Sequence, residues 1–99
     1  MALEVKICGL KTDEAVDAAL RAGADLIGFV FFPRSPRHVE LDEAVRLAAA
    51  ARGRAKIVAL VVDPDDALIE AIATRLDPDL LQLHGHESPA RVAEIAARS

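Results

Sequence analysis

Ile57-Val58-Ala59-Leu60-Val61-Val62 is apolar at every position. Successive side chains of a strand point to opposite faces. A run with no polar member is therefore covered on both faces, as parallel strands are. Working outward, Asp63-Pro64 supplies an N-cap and a first-turn proline, and Leu68, Ile69, Ile72 and Leu76 then recur at helical spacing. The same strand-then-helix unit occurs three more times. Strands are expected over Val5–Cys8, Leu26–Phe32 and Leu80–Leu83. Thr12 caps the first helix, with Asp13 and Glu14 in its positive first turn and Gly23 as its stop. Asp42 and Glu43 open the second helix, which ends near Gly53. Ser88-Pro89 starts the fourth, with Val92, Ile95 and Ala96 facing inward.

The order is (βα)4, an α/β chain whose right-handed crossovers put all four helices over one parallel sheet. No linker or low-complexity tract interrupts it, so 1–99 is expected to be a single segment without an internal boundary. Two architectures use this order: a doubly wound open sheet, or half of an eight-stranded barrel. Ligands gather beyond the C-terminal strand ends in both.

Hydrophobic residues make up 53% of the chain and aromatics 3%, so the core is built from Ala, Val, Leu and Ile. No apolar run approaches the roughly 18 residues that cross a membrane, and the N-terminus has no signal-peptide pattern. A cytoplasmic location, with no membrane partner, is the expectation. The net charge of −4 argues against nucleic acid as a partner, which calls for a clustered basic face. It also makes any local basic cluster more informative.

Cys8 is the only cysteine, at a strand's exit in Lys6-Ile7-Cys8-Gly9-Leu10. Its ordinary reading is a small, inert hydrophobe. A thiol at a strand exit ahead of a glycine turn can instead be presented to a ligand. Strand two runs out into Phe32-Pro33-Arg34-Ser35-Pro36-Arg37-His38, a stiff basic loop suited to a small anion. The alternative is a solvated loop whose arginines pair with acids such as Glu40. Strand four ends in Gln82-Leu83-His84-Gly85-His86, where alternation puts Gln82 and His84 on one face. His84 and His86 form an HxH pair, but no third or fourth ligand accompanies them as zinc needs, so His86 reads as a solvated loop residue. Asp63 lacks the acid pair after strand one that a magnesium-dependent receiver site needs. Asp63 and Asp79 read as a helix cap and a strand-entry residue.

Lys6-Ile7-Cys8-Gly9-Leu10, Gly28-Phe29-Val30-Phe31-Phe32-Pro33-Arg34-Ser35-Pro36-Arg37 and Leu81-Gln82-Leu83-His84-Gly85 together resemble the first, second and fourth strand motifs of phosphoribosylanthranilate isomerase. The resemblance implies a (β/α)8 barrel of tryptophan biosynthesis. That family converts N-(5′-phosphoribosyl)anthranilate into its 1-deoxyribulose 5-phosphate isomer by an Amadori rearrangement. It also implies that Cys8 is the catalytic base and that Arg37 meets the anthranilate carboxylate. Gln82 and His84 line the substrate site. The partner is a small phosphorylated substrate, and neither a metal nor an organic cofactor is implied. Lys6, on the same face as Cys8, is a candidate to stabilise a thiolate.

The resemblance covers four of eight βα units, so the expected architecture is the (βα)4 parallel half of a TIM barrel. The family's general acid, an aspartate of a later strand, and its phosphate-binding loops then fall outside 1–99. Open edges at strands one and four invite self-association or pairing with a C-terminal half-barrel. Two other readings are a non-catalytic half-barrel assembly module and a doubly wound ligand-binding domain.

Overall fold

Residues 3–85 and 88–98 are described by a computed structural model. Four strands, β1 (Lys6–Cys8), β2 (Leu26–Phe31), β3 (Lys56–Val61) and β4 (Leu80–Leu83), form one parallel sheet in the order β1-β2-β3-β4. The helices are α1 (Asp13–Arg21), α2 (Leu41–Ala49), α3 (Asp66–Ala71) and α4 (Pro89–Arg98), and a π-helical turn, Ile72–Leu76, extends α3.

Alternation sorts the strand residues onto two faces. Ile27, Phe29, Phe31, Ile57, Ala59 and Val61 join Val16 and Ala19 of α1, Leu47 of α2, Ile69 and Ile72 of α3 and its extension, and Ile95 of α4 in one buried cluster. All four helices thus cover the same face. The least extent of the molecule, 23 Å, fits one helix layer of about 10–12 Å on one sheet spaced about 10 Å away. A second helix layer would not fit. Sequential strand order also leaves no switch point of the kind that doubly wound sheets use. The doubly wound alternative is therefore excluded.

The other face is concave. Cys8, Gly28, Val58 and Leu80 lie in one row across the strands. Cys8 closes β1, whereas Leu80 opens β4. The strands are therefore staggered, and β4 runs on from the row of Cys8 to His84, four residues beyond Leu80. A side-chain contact reports the same stagger. Lys6 Nζ donates to Gln82 Oε1, although Lys6 lies in the row of Leu26 and Gln82 in the row of Val30, four residues further along β2. Contact between the first and last strands across the concavity requires a curled sheet, as in small barrels whose interiors side chains just fill.

Local signals set most element ends. Thr12 Oγ1 accepts from Ala15 N at 3.1 Å, and Ser88 Oγ accepts from Arg91 N at 3.1 Å ahead of Pro89. Asp79 does serve strand entry: its Oδ2 accepts from Ile57 N at 2.7 Å. Two expectations are corrected. The cap of α3 is Asp65, whose Oδ1 accepts from Leu68 N at 2.8 Å. Asp63 stands two residues earlier in a left-handed conformation, φ 43°. On α4, Ile95 is buried, but Val92 and Ala96 are exposed, because the side of the helix beyond β4 has nothing packed on it among the described residues. Arg91 anchors this helix to the β3–α3 loop, donating to Asp66 Oδ1 (2.5 Å) and to Pro64 O (2.8 Å). The Asp66 hydrogen bond raises its guanidinium pKa.

Candidate active site

The C-terminal ends of the four strands and the loops after them enclose an open cleft of about 1220 Å³ on the concave face. Its wall combines apolar Val30, Phe32, Leu60 and Val62 with polar Lys6, Cys8, Arg34, Ser35, Arg37, Asp63 and His84. Cys8 is half-buried, reduced, and points over the neighbouring strand at Gly28. A Cβ on Gly28 would stand 2.8 Å from Cys8 Sγ, so the thiol occupies space that only glycine leaves open. Gly9, with φ +84°, turns the chain out of β1 and donates its N–H to Gly28 O at 3.0 Å. The aliphatic stem of Arg37 lies against Gly9, and a Cβ there would meet Arg37 Cδ at 2.6 Å. Two glycines thus let Cys8 and Arg37 come together at one corner of the cleft.

The loop carrying Arg37 is fixed by its own hydrogen bonds. Ser35 Oγ accepts from Arg37 N at 3.0 Å, and Lys11 Nζ of the preceding loop donates to Pro36 O at 3.0 Å. Glu40 bonds His38 Nε2 at 3.2 Å. Neither Arg34 nor Arg37 has a carboxylate partner among the described residues. Both guanidinium groups line the cleft, where an anion can take two parallel hydrogen bonds.

Opposite this corner, His84 follows β4 directly and is exposed in the cleft. Gln82 shares its face one step deeper, where its side chain holds the Lys6 ammonium. The structure therefore brings Cys8, Arg37 and His84 to one opening and sets Gln82 beneath it. Lys6 also lines the cleft, with its hydrogen bond directed to Gln82. His86 lies outside the described residues. Among the described residues, no three His, Cys, Asp or Glu side chains cluster as a metal site. No helix among them is long and apolar enough to cross a membrane.

Three further residues line the cleft that the sequence named without assigning them a place in the site: Arg34 and Ser35 of the basic loop, and Asp63. Asp63 reads as a cap because proline follows it. In fact the strained turn carries its carboxylate towards the β4 loop, where a Cβ on Gly85 would meet Asp63 Oδ1 at 2.7 Å. The only sequence signal for this closeness is the glycine itself.

The family model for N-(5′-phosphoribosyl)anthranilate (PRA) isomerase matches residues 5–99. The chain is 64% identical over 98 residues to an N-(5′-phosphoribosyl)anthranilate isomerase of Rhodopseudomonas palustris, covering 99% of this chain and 45% of the relative. It superposes on the crystal structure of phosphoribosyl anthranilate isomerase from Thermotoga maritima with a TM-score of 0.90 at 31% identity, covering 98% of this chain and 47% of the other. A further family structure, in complex with reduced 1-(o-carboxyphenylamino)-1-deoxyribulose 5-phosphate, matches with a TM-score of 0.90 at 31% identity, covering 98% and 50%. The chain spans about half the length of the curated relatives it matches. Curled parallel sheet and one-sided helices agree with these matches: the chain belongs to the phosphoribosylanthranilate isomerase family, and its (βα)4 architecture corresponds to half of that family's barrel.

Proposed function

We propose that this chain supplies the base and the carboxylate-binding corner for the Amadori rearrangement of N-(5′-phosphoribosyl)anthranilate in tryptophan biosynthesis. The convergence of Cys8 Sγ and Arg37 over Gly28 and Gly9 carries this reading. The ligand in the related complex is a carboxyphenylamino sugar phosphate, and a carboxylate suits the Arg37 guanidinium at the cleft wall, which has no carboxylate partner among the described residues. Arg34 on the same loop adds positive charge for a substrate that carries both a carboxylate and a phosphate.

In the rearrangement, protonation of the ribose ring oxygen breaks its bond to C1′, and the anilinic nitrogen lone pair forms the C1′ iminium. The Cys8 thiolate takes the C2′ proton. The C–H electron pair becomes the C1′=C2′ bond, and the iminium π electrons return to nitrogen. Tautomerisation of the enol then places the carbonyl at C2′. Cys8 is the group for the second step, because proton abstraction needs a base within hydrogen-bond reach of the carbon. His84 lines the opposite wall and orients the sugar, with Gln82 beneath it holding Lys6. The proton for the first step and the grip on phosphate come from a C-terminal half-barrel pairing with β1 and β4. A free thiol base must remain reduced, which supports a cytoplasmic location.

Mixing this chain with the separately expressed C-terminal half of the Rhodopseudomonas palustris relative tests the reading. Recovered isomerase activity that vanishes in Cys8→Ser is expected, together with a raised KM in Arg37→Ala. Activity that survives Cys8→Ser would overturn the assignment of the base.

A further inference from the structure

The five glycines of this chain fall into two kinds. Gly23 and Gly53 sit in turns that follow a helix, and a Cβ on either would meet nothing within 4 Å. At Gly9, Gly28 and Gly85 a Cβ would crowd a side chain: Arg37 Cδ at 2.6 Å, Cys8 Sγ at 2.8 Å and Asp63 Oδ1 at 2.7 Å. All three of those side chains line the cleft. Cys8 and Arg37 are the base and the carboxylate grip of the proposed reaction. Asp63 is used by neither step.

The tasks that its place in the chain suggests do not need Asp63. Asp65 caps α3. The left-handed turn, φ 43°, is open to glycine and costs a residue with a side chain energy. A carboxylate kept at such a turn therefore serves something beyond the turn. It is also the sole carboxylate lining the cleft among the described residues.

The exit of β4 is what it meets. Register between β3 and β4 ends with Val61 beside Leu83, followed by a last hydrogen bond from His84 N to Val61 O at 2.8 Å. His84 and Gly85 then emerge exposed. Asp63, two residues past Val61, closes over them. Its Oδ1, Cγ and backbone N lie 2.7, 3.0 and 3.1 Å from where a Cβ on Gly85 would stand. The end of β3 thus holds His84 twice, at its own N–H and again one residue later.

We infer that Asp63 is a positioning residue, whose carboxylate seats Gly85 and so fixes His84 where it orients the sugar. The kinetic consequence rests on the isomerase reading, whereas the placement of His84 does not. A misplacement of about 1 Å can cost on the order of 10²-fold in rate, so a slackened seat is felt in kcat. Arg37 and the phosphate grip of the other half are untouched, which leaves KM in place.

The test uses the enzyme reconstituted with the C-terminal half of the Rhodopseudomonas palustris relative. Asp63→Gly keeps the turn and removes the carboxylate. It is expected to lower kcat about 10–100-fold, with KM changed less than about threefold and no fall in thermal midpoint. Asp63→Asn keeps an oxygen in place and tolerates the left-handed turn, so kcat should recover to within about threefold of the parent. Gly85→Ala should reproduce the loss, and adding it to Asp63→Gly should cost little more, because both act on one contact. With only this chain labelled, backbone order parameters of His84 and Gly85 should be about 0.85 in the parent and in Asp63→Asn, and below about 0.6 in Asp63→Gly. That measurement needs no turnover, so it decides the placement even if activity survives Cys8→Ser. Unchanged kcat in Asp63→Gly, unchanged order parameters there, an equal loss in Asp63→Asn, or a kcat loss matched by a fallen thermal midpoint would each overturn the inference.

Discussion

Gly28 illustrates how closely the site depends on an absent side chain. Gly28→Ala would put a methyl group 2.8 Å from Cys8 Sγ, and either the thiol turns away or β1 and β2 separate. We expect a loss of stability of about 1–3 kcal/mol, typical of overpacking, measured by urea denaturation. In the complemented enzyme, activity should fall about 10²-fold, the scale expected when a reacting group moves by an ångström. Much of this corner was legible in the chain. Cys8 at a strand exit, Arg37 in a stiff basic loop and the alternation of Gln82 with His84 are patterns in one dimension. The direct use of Gln82 by Lys6 was not legible, because it depends on how far the sheet curls, and apolar patterning carries no term for curvature. Asp63 was misread for a related reason. In Asp63-Pro64-Asp65-Asp66 the proline favours the residue before it as cap, and nothing local announces the left-handed turn that moves the cap to Asp65.

Among the elements, α3 and α4 invite separate tests. Asp65→Ala removes the acceptor for Leu68 N and should lower stability by about 1 kcal/mol. In a chain of this size that corresponds to a drop of about 4–8 °C in Tm. On α4, Ile95 is 2% exposed and reaches the common core. Ile95→Ala is expected to destabilise the fold by about 2–5 kcal/mol. Val92→Ala on the same helix should change the stability of an isolated copy by less than about 1 kcal/mol, since that side chain is half in solvent already. A scan in which Val92→Ala matched Ile95→Ala under monomeric conditions would contradict the placement of α4. Periodicity identified the helix and its inward stripe correctly at Ile95. It extended the stripe to Val92 and Ala96 because spacing reports which residues share a face, not whether a neighbour stands there.

At the scale of the molecule, the proposed docking of a C-terminal half-barrel on β1 and β4 ties stability to the amount of that half present. Mass action stabilises a species that binds only when folded. The thermal midpoint should therefore rise as the separately expressed C-terminal half of the Rhodopseudomonas palustris relative is added. Val92→Glu, at an exposed apolar position beside β4, should flatten that dependence. A midpoint unmoved by the added half would contradict the pairing.

The unbroken strand order has a consequence for how the chain is made. Each strand finds its only earlier neighbour in the unit synthesised just before it, so β2 can dock on β1, and β3 on β2, while later residues are still in the ribosome. Growth runs outward from one finished edge, as in a stacked array. Nascent chains stalled once α2 has cleared the ribosome should then already protect the β1–β2 amides from hydrogen exchange, before any part of β4 has emerged.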